Sequence, residues 1–89
     1  MTSDAFILLC YDIIFKYYQN KVSSINISIS DIQVVWQCKT LQNYKAILMA
    51  KVPDQRIFEA TYNGDKDELY LDVYQKEYNH KYELGRYDN

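Results

Sequence analysis

Apolar positions recur at helical spacing near the start of the chain and alternate with polar ones over much of the rest. Ser3 suits an N-cap, and Asp4 suits the positive end of a helix dipole. The segment from Asp4 to about Lys21 is therefore expected to be a helix, with residues 1–21 as the helical unit. On a wheel of about 100° per residue, Asp12, Lys16, Gln19 and Asn20 share one narrow polar sector, with Asp12 and Lys16 spaced for an ion pair. Ile13, Phe6, Tyr17, Cys10, Ile14, Ile7, Tyr18, Tyr11 and Phe15 fill an arc of roughly 200°, twice the stripe of about 100° that a helix on one sheet needs. Either the helix is buried more deeply than one sheet allows, or its second flank meets another molecule. A homodimer would use one patch on both subunits, and the expected interface residues are Ile7, Tyr11, Phe15 and Tyr18.

Val22 to Ser30 is polar and Ser-rich, with Ile25, Ile27 and Ile29 alternating, as in a linker or short edge strand. Ser30-Asp31-Ile32-Gln33 has the form of a capping box. Asp31 to Cys38 nevertheless reads as a strand, because Ile32, Val34, Trp36 and Cys38 alternate with polar neighbours and are rich in β-formers. Val35 interrupts that alternation and suggests cover on the second face. Leu41-Gln42-Asn43 is a turn. Tyr44 to Val52 contains helix-favouring Ala, Leu, Met and Lys, but it ends at the Pro53-Asp54 turn and precedes a hairpin, so it too is assigned as a strand.

That hairpin is the clearest local signal. Asn63-Gly64 tolerates the positive φ of a type I′ turn. Phe58, Ala60 and Tyr62 share one face before it, and Leu69, Leu71 and Val73 one face after it. A two-residue loop would pair Phe58 with Leu69; a four-residue loop would pair Phe58 with Leu71 and Tyr62 with Asp67. Both keep the same faces together. The expected architecture is α+β: an N-terminal helix packed on one face of a four-stranded antiparallel meander spanning 31–74. Residues 75–89 follow as a short C-terminal helix, with Tyr78, Tyr82 and Gly85 at helical positions, or as an extended tail that also carries Tyr87. All 89 residues form a single domain.

Ten Tyr, three Phe and one Trp supply large apolar area to a chain short enough to bury only about 60–65% of its unfolded surface. Net charge is −2, without the basic excess of a general nucleic-acid binder. The acids concentrate in the hairpin: residues 54–72 carry six against Arg56 and Lys66, whereas residues 1–53 carry five Lys against three Asp. Cys10 and Cys38 lie in apolar segments and are expected to be buried, reduced thiols. The apolar run Phe6–Phe15 is too short to span a bilayer and lacks the flanks of a signal peptide, so no membrane association is expected. The Asn26-Ile27-Ser28 sequon has no secretory context.

No catalytic constellation is apparent. His80 sits among Tyr, Lys and Glu without a partner at metal-ligand spacing, and a Cys38–His80 pair would need the tail to fold back. Gly64 and Gly85, the only glycines, cannot make a phosphate cradle. Asn63 to Glu68 lacks the ligand spacing of a calcium loop. The expectation is a chain with no enzymatic activity, cofactor or metal. The surface most suited to a protein partner is the hairpin's outer face: Tyr70, Asp72 and Tyr74, with Glu68 beside them. The alternative is nucleic-acid binding by tyrosine stacking beside a sheet face bearing Lys39, Lys45 and Lys51.

The run Val34-Val35-Trp36-Gln37-Cys38-Lys39-Thr40-Leu41-Gln42-Asn43-Tyr44-Lys45-Ala46, then Val52-Pro53-Asp54, then Tyr62-Asn63-Gly64-Asp65-Lys66 with Leu69-Tyr70-Leu71-Asp72 and Tyr74, resembles a family of small uncharacterised proteins. Such proteins are encoded by phages and prophages of low-GC Gram-positive bacteria. The resemblance covers about residues 30–76. It implies a phage-encoded accessory protein of the host bacterial cytoplasm, acting in host takeover as an interaction module on a host or defence protein.

Overall fold

The computed structural model describes residues 1–85, so Tyr87 of the expected tail lies outside the described residues. One helix, α1 (Ser3–Lys21), precedes four strands: β1 (Ile32–Thr40), β2 (Asn43–Ala50), β3 (Ile57–Asn63) and β4 (Glu68–Tyr74). The strands form one antiparallel sheet in the order β1-β2-β3-β4. The α+β meander is as expected.

Thr2, one residue before Ser3, caps the helix: its Oγ1 accepts from the Ala5 N–H at 3.1 Å, satisfying one of the helix's free donors. Asp12 and Lys16 pair at 2.9 Å on the solvent side. Phe6, Cys10, Ile14 and Tyr18, four residues apart, are the helix residues wholly buried. Sealing a side chain such as Phe6 or Ile14 from water is worth roughly 1.5–3 kcal/mol. Beneath them β2 and β3 alternate large and small: Tyr44, Ala46, Leu48 and Ala50 on one, Phe58, Ala60 and Tyr62 on the other, all buried. The directly paired Ala46 and Ala60 keep the floor low under the helix, which lies over β2. Phe6 stacks on Tyr44 with ring centroids 5.2 Å apart.

The wide apolar arc of α1 is largely accounted for within the chain. Residues 22–31 turn back beside the helix, with Ile27 buried and Ile25 packed on the core. This segment is a loop ending in a one-turn 3-10 helix, Ile29–Asp31, not an edge strand. Its capping interaction lies two residues earlier than the Ser30–Gln33 pattern: Ser28 N–H and Oγ reach Asp31 Oδ2 at 2.9 and 3.1 Å. Ile7, Tyr11 and Phe15 are half-buried against the core. Tyr18, expected at a dimer interface, is wholly buried instead.

β1 departs from its alternation. Val34 pairs with Leu48, but Trp36 pairs with Ile47, so Val35 is an extra residue in a bulge. One inserted residue moves every later side chain to the opposite face. Ile32 and Val34 remain on the helix side, whereas Trp36 and Cys38 turn outward and are exposed. Cys38 is thus a surface thiol and Cys10 the buried one.

The β3–β4 turn also differs from the Asn-Gly expectation. Asn63 pairs with Glu68 and Phe58 with Val73, a register two residues beyond the four-residue alternative but with the same faces together. Neither Asn63 nor Gly64 has positive φ; Asp67 does, at 51°. The Asn63 side chain organises the turn by accepting from the Asp65 and Lys66 N–H groups at 3.0 and 3.3 Å. Gly64 serves close approach. A Cβ there would sit 2.2 Å from the Gln42 carbonyl oxygen. The two hairpin tips are thereby docked, with Gly64 N–H donating to Asn43 Oδ1 at 3.0 Å and Gln42 Nε2 to Asp65 Oδ1. Residues 75–84 contain no helix or strand, and residues 86–89 of the expected tail lie outside the described residues.

Candidate functional site

The helix covers one face of the sheet and leaves the other open. The register lays that outer face out in rows across the strands. One row runs Trp36, Ile47, Glu59, Asp72; the next Cys38, Lys45, Thr61, Tyr70; a third Gln33, Met49, Ile57, Tyr74. Ile47 and Met49 are half-buried by their neighbours, while Val35, Trp36, Ile57, Tyr70 and Tyr74 are exposed, Trp36 by 47%. Trp36 reaches this face only because of the bulge. Isolated exposed apolar residues are ordinary, but a contiguous patch spanning all strands of a small domain marks a contact surface. Polar groups rim it: Lys45 pairs with Glu59 at 3.6 Å, and Asp72 lies directly across from Glu59.

At one end the outer face deepens into an open cavity of about 800 Å³, lined by Met49, Ile57, Val52, Pro53, Tyr74 and Tyr78 among others. Its walls are the β2–β3 loop and the first tail residues. Of the hairpin residues singled out by sequence, Tyr70, Asp72, Tyr74 and Glu68 all lie on this outer face and are exposed. The larger aromatic on the same face, Trp36, was assigned to the core; the interrupting Val35 was the sign of the bulge.

The β2–β3 loop is anchored from below. Tyr18 Oη donates to Asp54 Oδ1 at 3.1 Å, and Asp54 Oδ2 pairs with Arg56 Nε at 2.5 Å. The Arg56 guanidinium also donates to Tyr17 Oη and lies 5.6 Å from the Tyr17 ring centroid. Burial, then the bond to the Asp54 carboxylate, hold the Tyr18 phenol well above the ordinary tyrosine range. Asp54 Oδ2 and Arg56 Nε meet as an ion pair and have no hydrogen-bond partner of their own, and the cluster fastens the loop to the C-terminal end of α1. It pairs no nucleophile with a base.

The structure also places the other residues singled out by sequence. The lysines of the nucleic-acid reading do not share a face: Lys39 pairs across from the buried Tyr44 and sits over its ring at 5.5 Å, whereas Lys45 points outward. The extra residue at Val35 separates them. Cys38 lies on edge strand β1, and His80 follows the opposite edge strand, stacked on Tyr78 and edge-on to Tyr82. Among the described residues no three His, Cys, Asp or Glu side chains cluster as metal ligands, and no helix is long and apolar enough to cross a membrane.

Residues 7–84 match the family of unknown function DUF6275. The chain belongs to this family. The match runs from the helix through the tail, well beyond residues 30–76, so it includes the open sheet face, the bulge and the loop anchored by Asp54 and Arg56. No curated protein and no solved structure matches the chain.

Proposed function

We propose that this DUF6275 protein is a non-enzymatic interaction module whose outer sheet face docks a protein partner. The observation that carries the reading is the continuous apolar strip from Val35 and Trp36 through Ile47, Met49 and Ile57 to Tyr74. Aromatic and Met side chains such as Trp36, Met49 and Tyr74 are the types enriched in protein–protein contacts. Trp and Tyr are also the residues that most often dominate binding energy. Tyr70, Asp72, Tyr74 and Glu68 form the acidic flank of that face. The resemblance of residues 30–76 to phage and prophage proteins supports an accessory role on a host or defence protein in the bacterial cytoplasm.

Affinity capture from a bacterial lysate, read by mass spectrometry, tests the reading. The wild-type chain should retain a discrete partner. Trp36→Ser with Tyr74→Ser should lose it, and Leu41→Ser, at the far turn, should keep it. Equal capture by the double variant would overturn the assignment.

A further inference from the structure

The sheet has two open edges, and they are unlike. β1 is interrupted by the bulge at Val35, which breaks the row of groups that another strand would need. β4 is regular: it pairs with β3 residue for residue from Ile57–Tyr74 to Asn63–Glu68 with no shift. It contains no proline and no lysine, two devices that commonly block edges. The first tail residues lead away from it: Gln75 to Tyr78 line the cavity beside the β2–β3 loop. On the helix side, Leu69, Leu71 and Val73 of β4 are only half-buried, because α1 lies over β2.

We propose that β4 is a self-recognition edge, through which two copies of this chain pair antiparallel about Leu71 into one continuous sheet. This interface is the backbone edge of β4; it shares Glu68, Tyr70, Asp72 and Tyr74 with the flank of the outer face assigned to a partner, but not the strip from Trp36 to Ile57. The order Glu68-Leu69-Tyr70-Leu71-Asp72-Val73-Tyr74 suits a two-fold axis at its centre. Leu71 meets Leu71 of the second copy, and Leu69 meets Val73, so the core face continues across the axis as an apolar strip. On the outer face Tyr70 meets Asp72 and Glu68 meets Tyr74, each acid opposite a phenol. The chain already uses that pairing: Tyr62 Oη donates to Asp67 Oδ1 at 2.6 Å. Among the described residues, none of the ion pairs includes Glu68 or Asp72. The neighbouring registers are unfavourable. Centring on Tyr70 puts Glu68 opposite Asp72, and centring on Asp72 puts two Asp side chains face to face. Like charges directly opposite destabilise strand pairs. Both copies keep their helices on the same side of the joined sheet, so the outer face extends across both.

Sedimentation velocity of the wild-type chain from micromolar to millimolar concentration should show a monomer–dimer equilibrium. Tyr70→Asp sets an acid opposite Asp72 at two symmetric positions and should weaken the dimer about tenfold or more. Tyr70→Lys should tighten it, and Asp72→Lys added to Tyr70→Asp should restore it. Tyr70 is exposed, and circular dichroism of each variant confirms the fold. A wild-type chain that stays monomeric overturns the proposal. So does a dimer that both Tyr70 variants weaken, or one that ignores them, since it would use another face. Partner capture by Trp36→Ser alone, on the opposite edge strand, reads the outer face independently of these results.

Discussion

Gly64 and Leu41 invert the usual expectation for glycine and leucine in turns. Gly64 has no positive φ, yet a side chain there would strike the Gln42 backbone, which a neighbouring hairpin tip holds in place. Gly64→Ala should cost about 1–3 kcal/mol, as overpacking generally does, measured by urea unfolding. Leu41, 80% exposed, adopts a φ of 57°, which costs a non-glycine residue about 1–2 kcal/mol. Leu41→Asn should therefore stabilise the protein in the same assay. The cysteines diverge at this scale as well. Burial pushes the Cys10 thiol up to about 12, whereas Cys38 is exposed. Ellman's reagent should titrate Cys38 alone in the native protein and both thiols after unfolding. The raised Cys10 value sets a sign: the folded chain holds a proton that the unfolded chain releases from about pH 8.5 upward. Its stability contribution is complete below that point and falls as pH climbs toward 12. Cys10→Ala should flatten this part of the profile while lowering stability overall through the lost packing.

At the scale of elements, the bulge in β1 and the anchored β2–β3 loop decide what the sheet presents. Removing Val35 would delete the extra residue and leave Val34 opposite Leu48 and Trp36 opposite Ile47 in unbroken alternation, so Trp36 and Cys38 should keep their outward positions. The deletion should leave the fold intact by circular dichroism and Trp36 emission solvent-like. In the native wild type, Trp36 emission should be solvent-like and readily quenched by acrylamide. The loop depends on Tyr18. Tyr18→Phe removes the donor to Asp54 Oδ1, leaving Arg56 as the partner of that carboxylate, and should cost about 1.5–3 kcal/mol, the usual worth of a hydrogen bond to a charged group. Because the Tyr18 phenol titrates higher when folded, wild-type stability should also decline from about pH 10 upward. The Phe variant should lose that component.

For the whole molecule, the consequence of one helix on one sheet is that the two faces are energetically unequal. Phe58 is wholly buried, with Tyr17 and Tyr18 rings 5.6 and 5.8 Å away. Phe58→Ala should cost about 3–5 kcal/mol, comparable to the whole stability of a small domain, about 5 kcal/mol at the low end. The variant should be largely unfolded by circular dichroism. Trp36→Ser, in an equally aromatic position of the outer face, should leave the melting temperature nearly unchanged. An aromatic that contributes little to folding is one that a binding role would explain.

Local pattern was sufficient for the element types, their order and the core of β2, β3 and β4. Helical spacing and strand alternation are short-range properties, and a register error of two residues leaves the faces intact, as the hairpin shows. Only the tertiary structure decided which face Trp36, Cys38 and Lys39 take, because a bulge is settled by the partner strand rather than by the residues within it. The tertiary structure also gave Gly64 its role, since the obstruction comes from Gln42, distant in the chain. It placed Tyr18 over Asp54 and Ile27 beside the helix, closing much of an apolar arc that looked open along the sequence. The docking face follows from the same cause: one helix is wide enough to cover β2 and its neighbours on one side, and nothing in the described chain covers the other.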